Sequence, residues 1–265
     1  MMNASLFLRA CNLALFGLAS PLVGQTWTGP GQWLGPEGWT EGRVPGEDSA
    51  ISFSAEAEKG PILAPVSRCR ALRGPGVGKK DQSWSLEAGK LVVIEHWHWA
   101  ISGTGKSQVL IDGAEISVGG EWSWGRGKDR SGLARFVDGR LICRSLVVGP
   151  RGRLEMASPA FLEVKESLTL GGGGGEGAAT LEMDGGLVRI SGSLSSEVID
   201  KTDAVIPLLV LRAGRLECGD CSSFGGKITL EDGVLALRGD ATTQLERMMK
   251  EGRLTAYGLK EEVLT

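Results

Sequence analysis

The chain has 265 residues, a formal net charge of −3, 41 glycines and 42% hydrophobic residues. Charges of both signs are interspersed, which argues against a nucleic-acid binder, and no polybasic tract suits a membrane surface. The hydrophobic content argues against disorder, and this much glycine without a collagen triplet suits a fold made of tight turns.

Residues 1–25 have the pattern of a secretory signal peptide. Arg9 supplies the positive charge, and the stretch from Ala10 to Val23 is mainly apolar before a small-residue exit. Pro21 disfavours the alternative of a buried helix, and the apolar run is too short for a membrane span. We therefore expect no membrane span after signal removal and a secreted, extracellular or cell-surface protein, with the periplasm as the alternative.

Residues 26–84 are expected to form an N-terminal cap and irregular first turns of the repeat that follows. Trp27, Trp33 and Trp39 are spaced six residues apart between Gly and Pro turns, and residues 48–53 alternate as a strand does. The end of a stacked sheet leaves unpaired edges and an open core, which indole rings are suited to cover. Residues 62–72 are expected to add a strand or two.

Residues 85–239 repeat one pattern seven times. Counted from an anchor residue that is usually Gly, apolar side chains tend to fall at positions +2, +4, +8 and +10. The anchors, spaced 19 to 28 residues apart, are Gly89, Ala114, Gly139, Ala160, Gly186, Gly214 and Gly233. Paired i, i+2 apolar positions at this period predict an all-β fold, a β-solenoid with about three short strands per turn and roughly seven or more turns.

Stacking of the turns has a direct test. The +4 residues Val118, Cys143, Val164 and Ile190 must lie one above another, and a scattered arrangement would refute the fold. Loops interrupt the pattern after position +10, at residues 125–132, 171–177 and 197–207. Gathered at one corner, these loops would form a common rim, where a solenoid can bind a ligand.

Residues 240–265 are expected to close the far end. Residues 240–251 have a helical pattern, in which Thr243 to Glu246 is a capping box and Leu245, Met248 and Met249 share one face. A closing strand is expected at residues 254–257.

Four cysteines remain after the predicted leader. Cys143 and Cys218 occupy the +4 position and are expected to pack as small hydrophobes, while Cys69 lies in the irregular segment. Cys218 and Cys221 form a lone C-x-x-C without the second pair that a four-ligand zinc site needs. A local disulfide and two free thiols both stay open.

Two groups of residues are candidate ligand sites. His96 and His98 should point outward together, with Glu121 on the next turn, and two imidazoles and a carboxylate can hold zinc; an exposed H-x-H without metal is the alternative. The second group, Trp97, Trp99, Trp122 and Trp124, would stack across adjacent turns. An exposed ladder of rings can bind sugars, whereas burial of these rings in the core is the alternative that their apolar positions favour.

The lead-in from Gln25 to Phe53, the run from Leu181 to Leu194, and the tail segments 235–240 and 252–258 resemble secreted bacterial repeat proteins of the autotransporter-passenger and PEP-CTERM-associated kind. The resemblance implies a right-handed, single-stranded β-helix at a cell surface. It supplies no catalytic residues, and neither a translocation barrel nor a sorting tail is expected.

Three functions follow. The first is a non-catalytic structural, adhesive or matrix-type protein, whose partners are polysaccharide or other surface components. The second is a carbohydrate-binding module that uses the Trp ladder. The third, a β-helix polysaccharide lyase or hydrolase, is disfavoured because the Asp-Gly aspartates are explained by turn chemistry alone. No cofactor is expected, and the oligomeric state stays open.

Overall fold

The computed structural model describes residues 24–28, 31–54, 61–63, 65–74, 81–100, 104–126, 129–171, 177–197 and 206–256. The predicted leader therefore lies outside the described residues, apart from Gly24 and Gln25. Those two residues open the first strand, and the Gln25 side chain is buried.

The described residues form a parallel β-solenoid of about eight turns with one short α-helix near the C-terminus. In chain order, the strands and the helix are β1 Gly24–Trp27, β2 Ala50–Phe53, β3 Ser67–Cys69, β4 Ala71–Arg73, β5 Gln82–Glu87, β6 Lys90–Val93, β7 Trp97–Trp99, β8 Thr104–Asp112, β9 Glu115–Trp124, β10 Asp129–Phe136, β11 Arg140–Val148, β12 Gly152–Met156, β13 Phe161–Leu170, β14 Thr180–Ser196, β15 Leu208–Asp220, β16 Lys227–Leu230, β17 Val234–Leu237, α1 Thr242–Lys250 and β18 Leu254–Ala256. A 3₁₀ turn spans Pro36–Gly38.

Three parallel faces run along the solenoid, as the repeat predicts. The first sheet stacks β5, β8, β10, β12, the start of β14, the start of β15, β16 and β18. The second sheet stacks β3, β6, β9, β11, β13, β14, β15 and β17 through their +2 and +4 positions. The third sheet begins with β1, β2, β4 and β7 and continues through the +8 and +10 halves of β9, β11, β13 and β14. Long strands such as β9 pass from one face to the next without a break.

The +4 column is confirmed by the strand pairing. Cys143 is paired with Val118 on one side and with Val164 on the other, and Val164 is paired with Ile190. All four side chains are buried, at 2% exposure or less. Because the backbones pair in parallel and in register, each turn presents the same position to its neighbour, and a charged residue in this column would be buried without a partner.

Glycine is required where neighbouring turns approach most closely. Gly139 has a φ of +103°, and a Cβ there would lie 2.4 Å from the carbonyl oxygen of Ala114. At the corner between the second and third sheets, a Cβ on Gly192 would lie 2.0 Å from the Glu166 carbonyl oxygen. Real Cβ contacts of this length do not occur, so these corners accept only glycine without a backbone shift.

The three tryptophans of the lead-in pack together in the N-terminal part of the described chain. Trp27, Trp33 and Trp39 are all buried, and the ring of Trp39 packs edge-on against the other two. The indole N–H of Trp39 donates to the Trp33 carbonyl oxygen at 3.0 Å. The lead-in also contributes the first strands of the third sheet, since β1 pairs with β2.

The C-terminal helix is shorter than expected and is capped differently. It begins at Thr242, and the carboxylate of Asp240 accepts the Thr242 N–H at 3.0 Å, so Thr243 is not the cap residue. Met248 is buried in the core, whereas Met249 is 51% exposed and does not share that face. Within the described part of the chain, no helix has the length and apolar character to cross a bilayer.

Candidate functional site

The four tryptophans of the predicted ladder lie inside the solenoid. Trp97 pairs with Trp122 and Trp99 with Trp124, so the two turns do stack these residues. Their exposure is 0–1%. Burial, the alternative favoured by their apolar positions, is therefore what the structure shows, and these four rings offer no face to a sugar at the surface.

The rings form one aromatic cluster with their neighbours. Trp97 and Trp122 are stacked with centroids 5.1 Å apart and an interplanar angle of 27°. Trp84 packs edge-on against Trp99 at 4.7 Å, and Phe136 packs edge-on against Trp122 at 5.6 Å. The early turns thus fill their interior with indoles where later turns use Leu and Val.

The two histidines point outward from the third sheet, as the alternation predicts. Their rings are stacked with centroids 4.6 Å apart. His98 Nδ1 lies 2.6 Å from the Ser123 hydroxyl and 3.8 Å from a Glu121 carboxylate oxygen. Glu121 also accepts a hydrogen bond from Arg126 at 3.1 Å.

The electrostatics of this patch favour a neutral His98. Burial lowers the pKa of His98, the neighbouring His96 lowers it further, and Glu121 opposes both. The structure therefore gathers His96, His98 and Glu121 in one patch, with the Glu121 carboxylate already held by Arg126. Among the described residues, no group of three or more His, Cys, Asp or Glu side chains has an arrangement that could hold a metal ion.

The aspartates of the Asp-Gly turns are exposed, and their contacts are those of turn residues. The Asp138 carboxylate accepts the backbone N–H of Gly139. The Asp184 carboxylate accepts a hydrogen bond from Arg212 at 3.0 Å. Turn chemistry and surface ion pairing account for these carboxylates.

A groove of about 420 Å³ opens where the strands of the first sheet begin. We call it the basic groove, because the charged side chains among its lining residues are all cationic. Its polar lining includes Lys106, Ser107, Ser131, Arg151, Arg153 and Thr180. The loops at residues 125–132, 171–177 and 197–207 fall partly outside the described residues, so a common rim formed by them stays a prediction.

Two of the lining residues, Lys106 and Arg153, make contacts with carboxylates. The backbone N–H of Lys106 donates to an Asp81 carboxylate oxygen at 2.8 Å, which holds the start of β8. Arg153 donates to Glu182 and also pairs with Glu155, both at 2.9 Å, so its charge is partly offset.

The cationic residues of the groove could not be located from the anchor pattern. Lys106 and Arg151 are 45 positions apart in the sequence. They come together because β8 pairs with β10 and β10 with β12. Aligning the strands before each anchor, rather than the anchors alone, is the signal that could have located them.

Comparison with known proteins adds no relative: no family model, no curated protein and no solved structure matches this chain. The solenoid architecture is established by the strand pairing, whereas membership of a secreted repeat family stays a prediction.

Proposed function

We propose that this protein is a non-catalytic, secreted or cell-surface β-solenoid with a structural, adhesive or matrix role. The observation that carries the proposal is the in-register stacking of the buried columns from turn to turn. Such a rod holds its surface groups in a fixed, regular array, which is what a load-bearing or adhesive element needs.

The outer faces are laced with ion pairs that join one turn to the next. These pairs are Arg70–Glu95, Lys90–Glu115, Arg140–Glu163, Arg144–Glu166 and Arg189–Glu217, with N–O distances of 2.7 to 3.5 Å. Each exposed pair contributes only about 0–1 kcal/mol. Together they link neighbouring turns in the observed register.

The secretion part of the proposal is supported by the predicted leader and is tested by fractionation. The full chain with a C-terminal tag is expressed beside a variant in which Leu13→Arg interrupts the apolar run. Export predicts that the parent chain leaves the cytoplasm with a shortened N-terminus, while the variant stays inside at full length. Secretion would be refuted if the parent chain remained in the cytoplasm with its N-terminal segment, including Arg9, still attached.

The adhesive part is tested separately on the purified protein. Co-sedimentation with cell envelopes, together with the release of reducing sugar and of unsaturated uronate from acidic and neutral polysaccharides, distinguishes a binding protein from an enzyme. Binding without product is expected. Product formation that follows saturation kinetics would instead establish the lyase or hydrolase alternative.

A second candidate function, binding of an anionic polysaccharide, is favoured by the basic groove and not by the buried tryptophans. Lys106, Arg151 and Arg153 supply cationic groups beside hydroxyls, a combination that suits carboxylated sugars. Affinity electrophoresis with polygalacturonate and with neutral dextran tests it.

For that test, Lys106→Gln is compared with Lys165→Gln, which alters an exposed lysine on β13 outside the groove. Lys106→Gln is expected to weaken polygalacturonate binding several-fold, Lys165→Gln to leave it unchanged, and added salt to weaken binding. Equal binding of dextran, or equal loss in the two variants, would exclude the groove.

A further inference from the structure

The turn anchored at Gly214, which is followed by the turn of β17, brings two cysteines together beneath the C-terminal helix. Cys218 faces inward on β15, where it is paired with Ile190 on one side and Leu237 on the other. Cys221 follows the end of β15 and is fully buried. The expected third strand of this turn does not form, because β15 ends at Asp220 and a tight turn follows.

This turn is built by local hydrogen bonds. The Asp220 carboxylate accepts the Ser222 backbone N–H at 2.9 Å and the Ser222 hydroxyl at 2.7 Å. The Phe224 N–H then donates to the Cys221 carbonyl oxygen at 3.0 Å. This turn returns the Cys221 side chain to the core side, toward the residue three positions earlier.

The amide of Gln244 on α1 donates to the Cys221 sulfur at 3.0 Å. Interaction with the neighbouring Cys221 raises the pKa of the Cys218 thiol, and burial raises it further. Interaction with Cys218 lowers the pKa of Cys221. Cys221 is therefore the thiol of the pair that more readily becomes a nucleophilic thiolate.

The other two cysteines provide an internal contrast. Cys69 and Cys143 are buried in separate turns, where burial raises the pKa of each thiol to about 12. Thiols in that state are inert toward disulfide exchange. Cys218 and Cys221 therefore differ chemically from Cys69 and Cys143.

We propose that Cys218 and Cys221 are a modification site, at which a disulfide oxidant joins the two sulfurs and ties the end of β15 to the turn under α1. The capacity rests on the geometry of this turn and not on the proposed export, although an oxidising compartment is where such a bond persists.

The exchange balances with glutathione disulfide as the oxidant. The Cys221 thiolate attacks one of its sulfurs, forming a mixed disulfide and releasing one glutathione thiolate. The Cys218 thiolate then attacks the Cys221 sulfur and releases the second glutathione. The two cysteines lose two electrons and two protons, and one glutathione disulfide becomes two glutathiones. Because Cys221 is covered by Gln244, opening of α1 has to precede the first attack.

The test uses the folded full chain in glutathione buffers of graded oxidised-to-reduced ratio, quenched with iodoacetamide and mapped by mass spectrometry. We expect a loss of about two mass units confined to a linked Cys218–Cys221 peptide, with Cys69 and Cys143 still alkylated only after unfolding. Hydrogen exchange in α1 should slow, and Tm should rise by about 4 °C.

The matched control is the chain with Cys69→Ala and Cys143→Ala, which should oxidise like the parent. Cys221→Ser should form no intramolecular bond. If Cys221→Ser fails to fold, the parent map alone decides. Stable glutathione adducts, links to Cys69 or Cys143, or a bond that forms only in denaturant would each overturn the proposal.

Discussion

Replacing Trp122 tests how the aromatic part of the core is held. A buried Trp removes about 150–250 Å² from water, worth about 4–6 kcal/mol at the usual area coefficient. Trp122 is fully buried between Trp97, Trp124 and Phe136. Trp122→Ala should therefore lower the free energy of unfolding by about 3–5 kcal/mol.

Trp122→Phe and Trp124→Phe test the indole N–H groups separately from the rings. The indole N–H of Trp122 is buried with no acceptor among the described residues, while that of Trp124 donates to the Arg153 carbonyl oxygen at 3.2 Å. An unsatisfied buried donor costs about 1–3 kcal/mol. Trp122→Phe removes that cost together with some ring area, so we expect a net change within about 1 kcal/mol. Trp124→Phe loses a hydrogen bond and should cost about 1 kcal/mol more.

Urea unfolding followed by circular dichroism measures all three variants, with the slope compared to confirm that the same transition is observed. If Trp122→Phe costs as much as Trp124→Phe or more, the indole N–H of Trp122 has an acceptor and the account of this core is wrong. If Trp122→Ala costs less than about 1 kcal/mol, stacking of these turns does not hold the rod together.

Two further outcomes are expected. Glu182→Gln should lower the free energy of unfolding, measured in urea, by about 1.5–3 kcal/mol, because the Glu182 side chain is only 11% exposed and its carboxylate pairs with both Arg153 and Arg212. Glu166 pairs with Arg144 at a largely exposed position, so Glu166→Gln should cost less than about 1 kcal/mol. Equal losses in the two variants would contradict this prediction. Burial and His96 lower the pKa of His98 from its ordinary value of 6.5, so the unfolded chain binds the proton more readily than the folded one. The Tm should therefore fall as the pH drops from 7 to 5, and His98→Gln should reduce this dependence of Tm on pH. An unchanged pH dependence in the variant would show that His98 is not its source.

The stacked columns could be predicted from the sequence because one physical constraint acts on every turn. Val164 and Ile190 lie at the same distance from their anchors, and parallel pairing in register places them in contact. The repeat that begins at Gly139 is one residue shorter, and its pairing shifts register between Cys143 and Ser145. Leu146 is nevertheless paired with both Trp122 and Leu168. Periodicity reports the core because the core allows so little variation.

The ends could not be predicted in the same way, because no repeat constrains them. The Gly214 turn suggests apolar residues at Ser222 and Phe224, yet Asp220 ends the strand by binding Ser222, and only Phe224 returns to the core. The predicted capping box did not form for a similar reason: Ala241 takes the cap position without a side-chain cap, and an Asx turn of Asp240 with Thr242 precedes the helix instead.

The difference between the stacked columns and the rest of the chain explains where a function can arise in this fold. Interior positions such as Leu162 and Val188 are paired on both sides, so changing one turn requires its neighbours to adapt. The segments after position +10 differ in length, as the variable spacing of the anchors shows. Lys106, an exposed residue at the start of β8, and Arg151, just before β12, do not belong to the buried columns, and stacking of these strands brings them to one groove. Residues of the basic groove can thus change while the buried columns stay constant, which is the property that a structural or adhesive solenoid requires.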